Sequence, residues 1–256
     1  MDATAVKRPV AINRWLPYWA VFQADVQQTL RSWVYRAWVL MSVLAMVGYL
    51  LYRVGLSHEA GIIQPASLVA SHLLRWSVLG SITLIVVLTA GSISSERGTM
   101  ADSVLSRGIS RYQYFLGKWH ARLAAVLSTY LAMGVAALVS SLFLHEDLSL
   151  SGSLVALAAV AALLAAVVTC GVAVSAVVNS TVLGIAVLWM VFYGGCFALS
   201  LLPAPFPSPD RALHNLPWIL RGHYDLEVLE QLAGWSAAVS GVSALFGLAY
   251  FARRDV

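Results

Sequence analysis

Charge is what this chain has least of. Asp, Glu, Lys and Arg make up 11% of its 256 residues and hydrophobic residues 60%. A soluble domain carries about 25% charged residues, so an ordinary water-soluble fold is excluded. The shortage is also localised. Residues 76–95, 123–144 and 231–252 contain no charge at all, and each is close to the roughly 20 residues that carry a helix across a hydrocarbon core. An earlier run near 37–56 contains only Arg53, close enough to one end to reach the interface. The uncharged run 148–209 is too long for one crossing. Its best internal turn is Asn179, Ser180 and Thr181, which predicts spans near 152–178 and 182–202. The expected fold is an all-α membrane protein of six transmembrane helices, with both termini on one side.

Other absences exclude whole classes of chemistry. No Asp, Glu or His falls in the middle of a predicted span. An intramembrane hydrolase or a proton-coupled carrier uses such groups at depth, so both are disfavoured. No catalytic residue is assigned. The six histidines are His58, His72, His120, His145, His214 and His223. They form no H-E-x-x-H pattern and repeat no metal-ligand spacing, so no metal site is assigned and they read as solvated loop or end residues. There is no G-x-x-x-x-G-K-[ST] loop, which excludes ATP hydrolysis by the P-loop route within this chain. The two cysteines, Cys170 and Cys196, both lie in predicted spans and read as buried apolar residues. The first apolar run begins near residue 37 behind a polar leader, a pattern unlike a cleavable signal peptide.

What charge remains is distributed with a strong bias. If the N-terminus is cytoplasmic, that side holds Lys7, Arg8, Arg14, Arg31, Arg36, Arg97, Arg107, Arg111, Lys118, Arg122, Arg253 and Arg254. Only Arg53, Arg75, Arg211 and Arg221 are then left outside. The positive-inside rule favours this orientation, with N- and C-termini cytoplasmic in an inner membrane. The pI of about 9.2 therefore reflects topology, and no nucleic-acid partner is implied.

The leader, residues 1–36, places Phe22, Val26, Leu30 and Trp33 at helical spacing, with Gln23, Gln27, Gln28 and Arg31 facing elsewhere. Trp15, Tyr18 and Trp19 add aromatics that favour the membrane interface. The pattern predicts a helix lying on the membrane surface. At the opposite end, the outer loop 203–234 opens with Pro203, Pro205, Pro207 and Pro209, which forbid a continuous helix. Two short helices, 210–221 and 225–232, are expected after it, separated by Gly222.

The most informative segment is the cytoplasmic loop 94–122. Thr99 with Asp102 reads as a capping box that opens a helix at Met100, and Gly108 suits its end. Ser110 with Gln113 reads as a second capping box, opening a helix that continues into the next apolar run. A membrane protein with a small structured helix between two spans offers a docking element to something in the cytoplasm.

These residues resemble a known family. Glu96, Gly98 and Thr99, then Val104, Leu105 and Ser106, then Ile109, Ser110 and Arg111, then Gly117 and Lys118 are similar to the signature loop of ABC-2-type transporter permeases. The end of the chain, with Phe251, Arg253, Arg254 and Asp255, is similar to that family's terminus. Met100 stands where the family usually has Leu, and Gly108 where it usually has Pro. The resemblance implies that the loop holds a coupling helix seated in a groove of a separate P-loop ATPase subunit. Glu96, Arg97, Gly98, Thr99, Met100, Val104, Leu105, Arg107, Gly108 and Arg111 would then form the ATPase-coupling site. Met100 and Val104, four apart, share one face of that helix. Arg107 and Arg111 are placed to pair with acidic groups of the partner, while Lys118 and Arg122 are expected at the lipid headgroups. The resemblance further implies no enzymatic site here, ATP and Mg held only by the partner ATPase, and a second permease copy making a homodimer. A periplasmic accessory protein and membrane lipid complete the expected partners. The substrate expected for export is hydrophobic or amphipathic, because polar groups inside the spans are mostly Ser and Thr. The alternative is a membrane assembly subunit of an ATPase complex that conducts no solute itself.

Overall fold

The computed structural model describes residues 15–60, 65–96, 109–142, 148–201 and 213–253, and every regular element among them is helical. In chain order these are α1 (Leu16–Arg31), α2 (Trp33–Ala60), α3 (Ala66–Ala90), a 3₁₀ turn at Ser94–Glu96, α4 (Arg111–Leu142), α5 (Leu150–Val177) and α6 (Thr181–Trp189). A π-helical segment, Met190–Gly194, then leads into α7 (Gly195–Ser200), followed by α8 (Leu216–Leu220) and α9 (Leu226–Arg253). No strand occurs among the described residues.

Four helices are long and apolar enough to cross a membrane: Trp33–Gly55 in α2, Arg111–Ser140 in α4, Leu150–Val177 in α5 and Leu226–Arg253 in α9. The apolar parts of α3 and of α6 with its π segment are shorter. The expected turn at Asn179, Ser180 and Thr181 is present, since α5 stops at Val177 and α6 starts at Thr181.

α5 is the hub of the bundle. Half of its span is buried, against 6% of the α2 span, and it packs on α3, α4, α6, α8 and most extensively on α9. Its small residues permit this closeness. A Cβ on Gly171 would collide with Thr89 of α3. The main core runs through Leu74, Ile85, Val86, Val126, Val160, Leu164 and Leu188, joining α3, α4, α5 and α6. α2 is peripheral, and its Leu40, Met41, Leu44 and Leu51 are exposed.

Two local expectations are corrected. Trp33 does not continue the leader helix but begins α2. Ser32 breaks the chain with an extended ψ of 140°. Its hydroxyl donates to the Thr29 carbonyl at 2.8 Å and accepts from the Tyr35 amide at 3.2 Å. Such a short polar side chain competes with the helix ladder and caps the next helix instead. Second, 225–232 is not a separate short helix but the start of α9. Asp225 Oδ1 accepts from the Glu227 amide at 3.0 Å, and no proline interrupts the chain from there to Arg253. Gly222, at φ +87°, does make the expected break after α8; only glycine adopts that backbone readily.

Candidate functional site: a buried charge cluster at the base of the loop

The leader helix reaches the bundle through α4. Gly117 allows the contact, because a Cβ there would lie 2.8 Å from Val21 Cγ1 and 3.3 Å from the Tyr18 carbonyl. The face that α1 turns inward consists of Val21, Asp25 and Thr29. The apolar stripe singled out in the sequence lies beside it. Phe22 and Val26 are half-buried and Leu30 is exposed, as are Trp15 and Trp19.

Asp25 is 2% exposed and sits between two cations of α4, Lys118 and Arg122. Lys118 Nζ has three protons and three acceptors: Asp25 Oδ1 at 3.1 Å, Glu96 Oε1 at 2.7 Å and the Ser92 carbonyl at 2.8 Å. Arg122 grips the other side of the carboxylate. Its Nε lies 2.9 Å from Asp25 Oδ2, Nη2 donates to Oδ1 at 3.2 Å, and Nη1 donates to the Leu88 carbonyl at 3.2 Å. Tyr114 completes the group by donating from its hydroxyl to Glu96 Oε2 at 2.6 Å. Two carboxylates and two cations cancel, which is what makes their burial tolerable.

The cluster overturns one expectation. Lys118 and Arg122 were expected at lipid headgroups, yet they are 3% and 6% exposed. Four residues apart on α4, they share one face, and that face is the one α1 covers. Asp25 was not singled out from the sequence, because its partners lie 93 and 97 residues away. The available signal was the Lys118–Arg122 pair itself, two cations on one helix face that require a carboxylate if buried.

Glu96 ends the uncharged run after α3. Burial alone would raise its pKa, but the Lys118 charge and hydrogen bonds from Lys118, Tyr114 and Gln28 together hold the carboxyl below its ordinary value of 4.5. The turn that presents it is fixed from α5 and α6. Ser175 Oγ accepts from the Ile93 and Ser94 amides at 2.9 and 3.0 Å, and Ser94 Oγ meets Thr181 Oγ1 at 2.9 Å.

On the far side of the loop the second capping box is present. The Ser110 amide donates to Gln113 Oε1 at 3.1 Å, and the Gln113 amide donates to Ser110 Oγ at 3.2 Å. Arg111 donates to the Ala252 carbonyl at 3.1 Å, and Tyr114 stacks on Phe251 with ring centroids 5.9 Å apart. Ile93, Tyr114, Phe115, Val172 and Phe251 form a compact second core there, to which Val21 also belongs. The leader, the Glu96 turn, the start of α4 and the ends of α5 and α9 are thus one packed unit.

Of the expected coupling residues, the structure brings Glu96 and Arg111 to this unit. Arg97, Gly98, Thr99, Met100, Val104, Leu105, Arg107 and Gly108 lie outside the described residues. Among the described residues, no group of three His, Cys, Asp or Glu side chains is placed to hold a metal ion. No protein-family model matches the chain, and no curated protein matches it either.

Proposed function

We propose that this protein is the transmembrane subunit of an ABC-2-type transporter, coupling ATP hydrolysis on a separate P-loop ATPase to export of a hydrophobic or amphipathic substrate. One observation carries the reading. The segment that resembles the family's coupling loop springs from two bases, Glu96 and Arg111, and both are locked into the same buried unit. A loop meant to receive a push must be joined rigidly to what it moves, and a discrete packed unit transmits displacement where a loose tether would not.

In this reading the charge cluster lies at the cytoplasmic end, as the Lys and Arg distribution favours. The segment 100–107 docks on the ATPase, with Met100 and Val104 in its groove. Glu96 and Arg97 anchor one side; Arg107 and Arg111 meet acidic groups of the partner. ATP and Mg belong to the partner alone. The six-span count stands on the four long helices together with α3 and the α6–α7 run. A second copy forms a homodimer around a central route. An apolar cavity of about 360 Å³ between α2, α3 and α4, lined by Trp38, Met41, Met46, Leu73, Leu84 and Met133 among others, supports an apolar cargo.

The test is affinity purification from native membranes with ATP hydrolysis assayed on the eluate, wild type beside Glu96→Ala and Val104→Asp. A co-purifying P-loop ATPase, lost with Val104→Asp and uncoupled with Glu96→Ala, is expected. Intact protein with no nucleotide-binding partner would overturn the proposal.

A further inference from the structure

The apolar cavity of about 360 Å³ between α2, α3 and α4 extends along the helices that form it. Its lining runs from Trp38 to Tyr49 on α2 and from Leu73 to Leu84 on α3, about 16 Å in each case at 1.5 Å per residue. That is about half of a hydrocarbon core of roughly 30 Å, the depth that one acyl chain reaches. Met41 and Ala45 both line the cavity and are exposed, so it opens sideways on the outer face of α2. The Trp38 indole N–H donates to Ser81 Oγ at 2.6 Å, and no charged residue lines the space among the described residues. Such a lining suits hydrocarbon and offers little to a polar solute.

A second observation concerns the end of this space. Arg53 follows Tyr49 by one turn on the same face of α2. It does not line the cavity, but it acts electrostatically on Tyr49, which does. It acts also on His72, whose ring centre lies 6.0 Å from that of Tyr49. An arginine near the end of a span usually extends to water, yet Arg53 is 8% exposed. Its Nε has no hydrogen-bond partner, and no ion pair includes it, among the described residues. Lys118 and Arg122 are buried to a similar degree, but Asp25 and Glu96 balance them. A buried cation without such a carboxylate favours an anion from outside the chain.

We propose that this cavity holds one acyl chain of an anionic membrane lipid, with the lipid phosphate at Arg53. The sideways opening lets the second chain of the lipid stay in the bilayer. The guanidinium then gains a charge-assisted hydrogen bond to a phosphate oxygen. The proposal deepens the transporter reading by naming what the apolar cavity holds, and only a role as cargo rests on that reading. Binding itself needs no ATPase, so its failure is separate from failure of the ATPase docking.

The experiment uses the full chain in maltoside detergent with phosphatidylglycerol carrying a diazirine at mid-chain. After illumination the adducts are mapped by mass spectrometry. They should concentrate in residues 38–49, 73–84 and 133–137, and unlabelled phosphatidylglycerol should displace them better than phosphatidylcholine with the same chains. Adducts spread evenly over exposed helix faces, or equal displacement by the two lipids, overturn the proposal. In parallel, Ala45→Phe, which fills the cavity from its open side, should weaken phosphatidylglycerol binding at least about tenfold. Arg53→Gln should abolish the preference over phosphatidylcholine. Leu44→Phe, on the exposed face beside the cavity, should change neither. Wild-type binding in a monodisperse Ala45→Phe protein overturns the proposal too. The mapping on the unaltered chain decides the matter even if a variant fails to fold.

Discussion

The two ends of this bundle use charge in opposite ways. At one end Asp25, Glu96, Lys118 and Arg122 neutralise each other in contact, with side-chain exposures of 2–16%. At the other, His72, Arg75, His214 and Arg221 line a cavity. Position 72 of the open cavity and position 92 of the closed cluster are twenty residues apart on the α3 segment, about 30 Å at 1.5 Å per residue. The contrast separates charges paired inside the packed bundle from charges that line a cavity. A mutually neutralised buried cluster makes a rigid joint between the helices that carry it.

That distinction can be broken first at Asp25. Asp25→Ala leaves Lys118 and Arg122 buried without their shared carboxylate and should cost about 3–5 kcal/mol, read by thermal or denaturant unfolding in detergent. Removing the charges together, with Asp25→Leu, Lys118→Met, Arg122→Met and Glu96→Gln, should restore most of that loss, because well-packed apolar replacements of buried ion pairs are often neutral. If the combined variant is less stable than Asp25→Ala, the cluster contributes more than mutual neutralisation.

Glu96 gives the next effect, and it depends on pH. Its folded pKa is depressed, so its contribution is complete above its ordinary value near 4.5 and is lost as pH falls through the lower folded value. Glu96→Gln should remove that acid-side loss, together with about 1.5–3 kcal/mol of charged hydrogen bonding at neutral pH. Unfolding curves collected from neutral to acid pH check both. Gly117→Val comes next, at about 1–3 kcal/mol; it should loosen α1 and increase protease cleavage in the leader. A substitution at Gly241, where a Cβ meets nothing within 4 Å, is the control. Smallest is Ser110→Ala, about 1 kcal/mol for a lost helix cap, seen as faster hydrogen exchange at the start of α4.

The parts of this architecture that depend on local pattern were readable from sequence. Uncharged or nearly uncharged length marked α2, α4, α5 and α9. The Asn179–Thr181 turn and the Ser110–Gln113 box were visible because each motif lies within a few residues. The parts set by distant partners were not. Asp25 sits among glutamines in a leader that reads as amphipathic, and only α4 folding against it reveals a buried face. Lys118 and Arg122 looked like headgroup contacts because lysine and arginine at the end of a span usually are. The cavity lined by Arg75 and Arg221 likewise joins two elements with no shared local signal. Ser32 was hidden for a different reason. The helical spacing of Phe22, Val26, Leu30 and Trp33 runs straight across it, and one capping serine outweighs that periodicity.

The central claim is that the segment between Glu96 and Arg111 docks on an ATPase, and photo-crosslinking from position 104 in native membranes tests it most directly. A photoreactive amino acid in place of Val104 should yield one dominant adduct with a P-loop ATPase. The same probe at position 41, on the exposed face of α2, should yield none with that protein. Adducts at position 104 confined to lipid, or the same adduct pattern from both positions, would contradict the account.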